Sequence, residues 1–152
     1  MTARTLAALC GALYLALGVA GFVPPLWERP PSSPPIAVRV FYATLFNVLH
    51  VNIILSMMHL TLGLWAAMSA NDKYSSVVFA RAATIVFLLM GVAGLIPVRE
   101  VQTLFGTTPL FGYNAWLYLG TALVTLIFAI RPGYELTQIG LKEQLNPHIP
   151  NK

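Results

Sequence analysis

The sequence predicts an all-α membrane protein, with four transmembrane helices arranged as two tandem parallel-repeat hairpins. Three observations carry that expectation. Of 152 residues, 57% are hydrophobic and only 9% are charged, against roughly 25% charged in soluble domains. The charged residues divide the chain into four apolar stretches, each close to the ~20 residues a helix needs to cross a bilayer. A short glycine motif recurs at matching places in the first and third stretches. One compact helical unit over residues 1–130 is expected, followed by a polar C-terminal tail over 131–152.

The first span is expected from about Thr5 to Val23. It follows Arg4 like a signal peptide, but it is longer than a usual apolar signal region and no convincing small-residue cleavage site follows. Between the first and second spans lie six of the eleven prolines: Pro24, Pro25, Pro30, Pro31, Pro34 and Pro35. Each lacks an N–H and fixes φ, which predicts an extended loop outside the hydrocarbon. Phe41 to Asn47 is expected as an interfacial turn or short helix before the second span, Val51 to Met68. The third span is expected over Ala82 to Val98 and the fourth over Asn114 to Ile130. Beyond Pro132-Gly133, Leu136, Ile139, Leu141 and Leu145 predict a short amphipathic turn that orders only against a partner or the ends of the spans.

Gly18-Val19-Ala20-Gly21-Phe22-Val23-Pro24 recurs as Gly91-Val92-Ala93-Gly94-Leu95-Ile96-Pro97, and Leu45-Phe46-Asn47 recurs as Leu104-Phe105-Gly106. Each half then holds two spans, so both halves enter the membrane from the same side, related about an axis along its normal. Gly11 and Gly18 share one face of the first helix, and Gly21, Gly91 and Gly94 complete the set of packing glycines. Without side chains they let backbones approach closely, which is how helices gain contact in lipid. The proline after each motif marks the helix end.

Nine Lys+Arg against five Asp+Glu give a net charge of +4. They are scattered singly and form no patch, so nucleic acid is not an expected partner; the lipid bilayer is. Arg4, Lys73, Arg81, Arg131, Lys142 and Lys152 fall on one side of the expected topology, and Arg29, Arg39 and Arg99 on the other. The positive-inside rule places both termini in the cytoplasm. Cys10 stands alone, which excludes an internal disulfide and any Cys-rich metal site.

The second span carries the one chemical feature. At about 100° per residue, Asn52, Ser56, His59 and Gly63 form a polar stripe on one helical face. Lipid offers no hydrogen bonds, so the stripe must face protein, with Asn52, Ser56, or Asn114 and Tyr118 of the fourth span as the available partners for His59. Two readings stand: an interhelical hydrogen-bonding strut, or an axial ligand to haem or a chlorin. His50 lies about 180° from His59 around a continuous helix, so the two cannot ligate one metal from it. No nucleophile elbow, phosphate loop or carboxylate pair is present and no Asp or Glu lies inside a span, so no enzyme activity and no metal site are expected.

From Gly18 to Ile130 the chain resembles the bacterial four-helix membrane family known as domain of unknown function 4383. The resemblance rests on Gly-Phe-Val-Pro at Gly21, the two Leu-Phe pairs, Val51-Asn52, His59-Leu60 with Gly63, Gly94-Leu-Ile-Pro, and Trp116-Leu117. The family pattern in span two runs Val-Asn-x-x-His-Asn-x-x-His-Leu-x-x-Gly. This chain has Leu55 and Ser56 in place of His-Asn, and Tyr118 where span four usually has His. The resemblance implies a small multi-pass protein of the bacterial inner membrane and supplies no activity. Three roles are open: a structural or accessory subunit packing against other membrane subunits or a second copy; a haem or pigment binder through His59; and a small-solute transporter or sensor.

Overall fold

The computed structural model of the chain describes residues 1–28 and 36–130. Pro30, Pro31, Pro34 and Pro35 of the expected loop lie outside the described residues, as does the expected amphipathic turn of the tail. The elements run α1 (Ala3–Ala20), a single 3-10 turn (Pro24–Leu26), β1 (Trp27–Glu28), β2 (Ala43–Leu45), β3 (Leu49–Val51), α2 (Ile53–Ser69), α3 (Lys73–Leu95), the one-turn α4 (Arg99–Gln102) and α5 (Tyr113–Ala129). Helix starts follow local chemistry. Thr2 caps α1 by accepting from the Thr5 N–H, Asn52 caps α2 through Leu55, and Asp72 caps α3 through Ser75. Each satisfies a backbone donor with no partner inside its helix.

Two sequence expectations need correction here. The fold is mostly helical but not all-α: β1, β2 and β3 form an antiparallel sheet in that order, with Trp27 opposite Leu45, and Ala43 opposite Val51. The segment Phe41 to Asn47, expected as a turn or short helix, holds the strand Ala43–Leu45 followed by a turn at Phe46-Asn47. Ala43, Leu45 and Val51 form a buried cluster against which Ala20 and Trp27 pack, so the sheet is fastened to the end of α1. The second correction is the start of α3, at Lys73 rather than Ala82. Lys73 and Arg81 do not interrupt a helix, because long basic side chains carry their charge away from the axis; Arg81 Nε donates to the Ala129 carbonyl at 3.2 Å.

The helices pack as α1 on α2 and α3 on α5, each pair antiparallel. A β-carbon on Gly18 would stand 2.7 Å from Leu60, and one on Gly91 would stand 2.6 Å from Leu119. Gly11 lies against Ala67, Gly63 against Leu15, Gly21 against Ser56, and Gly94 against Leu110 and Ala115. The pairs meet at the bundle centre, where the rings of Tyr14 and Phe87 stack with centroids 4.7 Å apart. The sheet, α4 and the loops around them form a cap at one end. α1 and α3, of 18 and 23 residues, are long and apolar enough to cross a membrane, while α2 and α5 are apolar helices of 17 residues.

Candidate functional site

His59 sits on the inner face of α2 and is 3% exposed. Its Nε2 and the Tyr118 hydroxyl of α5 share a buried hydrogen bond of 2.9 Å. The rings of Tyr14 and Tyr118 lie tilted against the imidazole, with centroids 5.4 Å and 6.0 Å from it. Phe87 lies parallel to both tyrosine rings. Two atoms on the inner face of α2, His59 Nδ1 in this centre and Ser56 Oγ beside Gly21, are buried without a hydrogen-bond partner among the described residues. Leaving such atoms unpaired costs about 1–3 kcal/mol each. With Nε2 engaged, Nδ1 is the one ring atom left for a water or a ligand.

Two further rungs join α5 to its neighbours. The Tyr14 and Thr121 hydroxyls are 2.9 Å apart, and Thr84 Oγ1 donates to Thr125 Oγ1 at 3.0 Å. Through Tyr118, Thr121 and Thr125, one face of α5 is hydrogen-bonded to α2, α1 and α3 in turn. In an apolar surrounding each rung contributes on the order of 1 kcal/mol.

Asn52 and Asn114 belong to the cap. The Asn52 side chain accepts from Leu55 N at 2.9 Å and donates through Nδ2 to the carbonyls of Val38 at 3.0 Å and Thr107 at 2.6 Å. Asn114 Nδ2 donates to the carbonyls of His50 at 2.6 Å and Pro109 at 2.7 Å. Each asparagine thus ties the loop of one hairpin to the loop of the other. Gly106 adds a third tie, its carbonyl accepting from Ala37 N and Val38 N.

Of the residues singled out in the sequence, the structure brings His59 and Tyr118 together in the bundle centre, sets Ser56 against Gly21 at the end of α1, and leaves Asn52 and Asn114 as cap clamps. Asn114 is not a partner of His59. His50, placed on a continuous helix by the sequence reading, lies on β3, because α2 begins only at Ile53. Its Nδ1 is 3.4 Å from both the Tyr42 and the Thr44 hydroxyls, and its ring lies against Phe111. Burial lowers the His50 pKa below its ordinary 6.5 and pushes the Tyr42 phenol up to about 12. The sequence reading missed this cluster and the Tyr14–Thr121 rung. The aromatic character of positions 42, 50 and 111 was visible, but their meeting depends on the sheet. Among the described residues no group of three or more His, Cys, Asp or Glu side chains is placed to hold a metal ion.

A bonded polar centre between paired apolar helices defines a class: a small, mostly helical protein with two helices long and apolar enough to cross a membrane. Within that class the match is specific. Residues 4–131 match the family described as Domain of unknown function (DUF4383), and the chain belongs to that family. No curated protein and no solved structure matches it.

Proposed function

We propose that α1, α2, α3 and α5 all cross the bilayer as two tandem hairpins, that both termini lie on the cytoplasmic side of a bacterial inner membrane, and that the protein is a non-enzymatic structural or accessory subunit. The observation that carries this reading is an inside-out distribution of side chains. Leu13, Met57, Leu64, Ile85, Leu89 and Ile127 are exposed on the helix flanks, while Asn52, Ser56, His59, Thr84, Asn114 and Thr125 are buried. Water would penalise such a surface, whereas hydrocarbon or an apolar partner accepts it. The lean of Lys+Arg toward the end opposite the cap supports the orientation. The recurrence of Gly18 on Leu60 as Gly91 on Leu119 supports the tandem arrangement.

The accessory role rests on the exposed flanks together with the absence of any Asp or Glu within the four long helices. Purification from the native membrane in mild detergent, followed by mass spectrometry, tests it. Membrane subunits co-purifying in stoichiometric amounts are expected; recovery of this chain alone would overturn the role. A second reading, haem or pigment bound through His59, is favoured by one observation only, the unpartnered Nδ1. A visible absorption band in the same sample that disappears in His59→Leu would establish it over the strut.

A further inference from the structure

The repeated Leu-Phe motif is not used by the polar centre or by the helix pairing. Leu45-Phe46-Asn47-Val48 closes with Val48 N–H donating to the Leu45 carbonyl at 2.9 Å, and Leu104-Phe105-Gly106-Thr107 closes with Thr107 N–H donating to the Leu104 carbonyl at 3.3 Å. In both turns the two central residues have positive φ: 50° and 62° at Phe46 and Asn47, 57° and 84° at Phe105 and Gly106. Positive φ at both positions marks a type I′ turn, whose central residues are usually Asn, Asp or Gly. Asn47 and Gly106 suit their positions. The phenylalanines do not, and turn chemistry gives no reason for the same misfit twice.

What the two turns share is the direction of their side chains. The leucine goes inward: Leu45 is buried in the cap and Leu104 packs against the main core. The phenylalanine goes outward, Phe46 being 62% exposed and Phe105 83%. Both turns sit beside the end of the preceding helix. Phe46 N–H donates to the Leu26 carbonyl while the cluster that holds Leu45 packs against Ala20, and Gln102 Nε2, just before the second turn, donates to the Gly94 carbonyl. α2 and α5, with 17 residues each, reach about 26 Å at 1.5 Å per residue, short of a hydrocarbon core of about 30 Å. A shortfall of that size brings the inner edge of the cap to the boundary between acyl chains and headgroups. Phe105 also shares a shallow hollow of about 310 Å³ with Ala37, Arg99, Glu100 and Thr103. With Arg99 and Glu100 both there the hollow has no net charge, and what faces outward is an aromatic ring with polar groups beside it, as residues at a membrane interface have.

Resting on the spanning arrangement proposed above, we propose that Phe46 and Phe105 are a matched pair of anchors, one on each hairpin, that insert into the headgroup–acyl boundary of the outer leaflet and set how deeply the bundle is immersed. The occupant of this surface is lipid. The two rings stand exposed at turn tips on separate hairpins, at the level where α2 and α5 fall short of the hydrocarbon thickness.

The test uses the full chain with Cys10→Ala, reconstituted in vesicles of phosphatidylcholine and phosphatidylglycerol. Nitroxides are attached to Phe46→Cys and Phe105→Cys, with Leu123→Cys on the flank of α5 and Asn71→Cys in the α2–α3 turn as references. Collision rates with oxygen and with an aqueous nickel chelate are then measured. The oxygen-to-chelate ratio at 46 and 105 is expected to fall between those at 123 and 71, and the double variant Phe46→Ser/Phe105→Ser is expected to shift the ratio at 123. Ratios at 46 and 105 equal to that at 71, with 123 still rich in oxygen, would overturn the anchors and leave the spanning arrangement standing. An immobile label at either site, shielded from both reagents, would overturn lipid in favour of a protein contact. An unmoved ratio at 123 in the double variant would overturn the depth-setting role. A chelate-accessible label at 123 would bring down the spanning arrangement itself, and the anchors with it.

Discussion

One residue before Leu60 the first hairpin carries His59, and one residue before Leu119 the second carries Tyr118; four residues before Gly18 the first carries Tyr14, and four before Gly91 the second carries Phe87. These four side chains meet at the bundle centre, His59 bonded to Tyr118 and Tyr14 stacked on Phe87. At the positions four residues before the same leucines, the first hairpin has Ser56, whose hydroxyl is unpartnered, and the second has Ala115. So the backbones meet in similar ways while the first hairpin brings the imidazole and the second the phenol that bonds it, with the hydroxyls of Thr84, Thr121 and Thr125 added by the second. Two like surfaces made unlike at their centre specify which hairpin faces which. A pair of identical polar groups there would leave the register less constrained.

The most severe way to break the comparison is to fill a glycine whose neighbour cannot move. A side chain on Gly94 would run into the Leu110 carbonyl and Ala115, whereas nothing lies within 4 Å of a β-carbon on Gly120. Gly94→Leu is expected to destabilise the bundle by about 3 kcal/mol, the upper end for overpacking. Gly120→Leu should change stability by less than about 0.5 kcal/mol. Unfolding in detergent, followed by circular dichroism, separates the two; equal losses would mean that the contact between α3 and α5 is not set by Gly94.

The next largest effect is expected at the cap. Asn114→Ala strands the carbonyls of His50 and Pro109, both now bonded to its Nδ2. The expected loss is about 2 kcal/mol. Hydrogen exchange should locate it, with amides of the cap opening faster while those at the centre of α3 keep their protection. Uniform loss of protection would show that cap and bundle unfold together rather than as separable units.

Within the centre, His59→Leu and Tyr118→Phe remove the two ends of one bond. Each alone should cost on the order of 1 kcal/mol, and the double variant less than the sum, because the coupling is counted in both. Strict additivity would show that the bond at 2.9 Å contributes nothing net.

Much of this arrangement was legible from residue order, and the failures have physical causes. The four helices, their packing glycines and the polar face of α2 follow from apolar runs and a helical period, signals spread over many residues. The sheet does not. Its strands are two or three residues long, too short for an alternating pattern to emerge. The start of α3 was hidden because Lys73 and Arg81 looked like borders. Asn114 was placed with His59 because a polar residue in the first turn of an apolar helix carries no mark of whether it serves the bundle or the loop above it. The inward and outward members of each Leu-Phe pair were likewise invisible, since left-handed φ at Phe46 and Phe105 is a property of the folded turn.

The smallest expected effect concerns pH and the contact between the two loops. His50 lies between Tyr42 and Phe111, with the Thr44 hydroxyl on its Nδ1 and Gly112 of the second hairpin beside its ring. No carboxylate appears among these neighbours, and Tyr42, pushed up to about 12, stays neutral throughout the acid range. Burial holds the folded-state pKa of His50 below the ordinary 6.5. As pH falls through 6.5 the unfolded chain therefore takes up a proton that the folded chain still refuses, so the folded state loses stability. The loss grows until the pH passes the lowered folded-state pKa and then levels. Because the imidazole is only half-buried, the effect should be well under that of Asn114→Ala. Comparing wild type with His50→Gln by thermal unfolding in detergent between about pH 7.5 and 4.5 isolates it, since only residue 50 differs. Wild type is expected to lose more stability than the variant across that interval. Parallel curves would show that the ring titrates as freely in the cap as in the unfolded chain, and the loop-to-loop contact would then rest on Asn52, Asn114 and Gly106 alone.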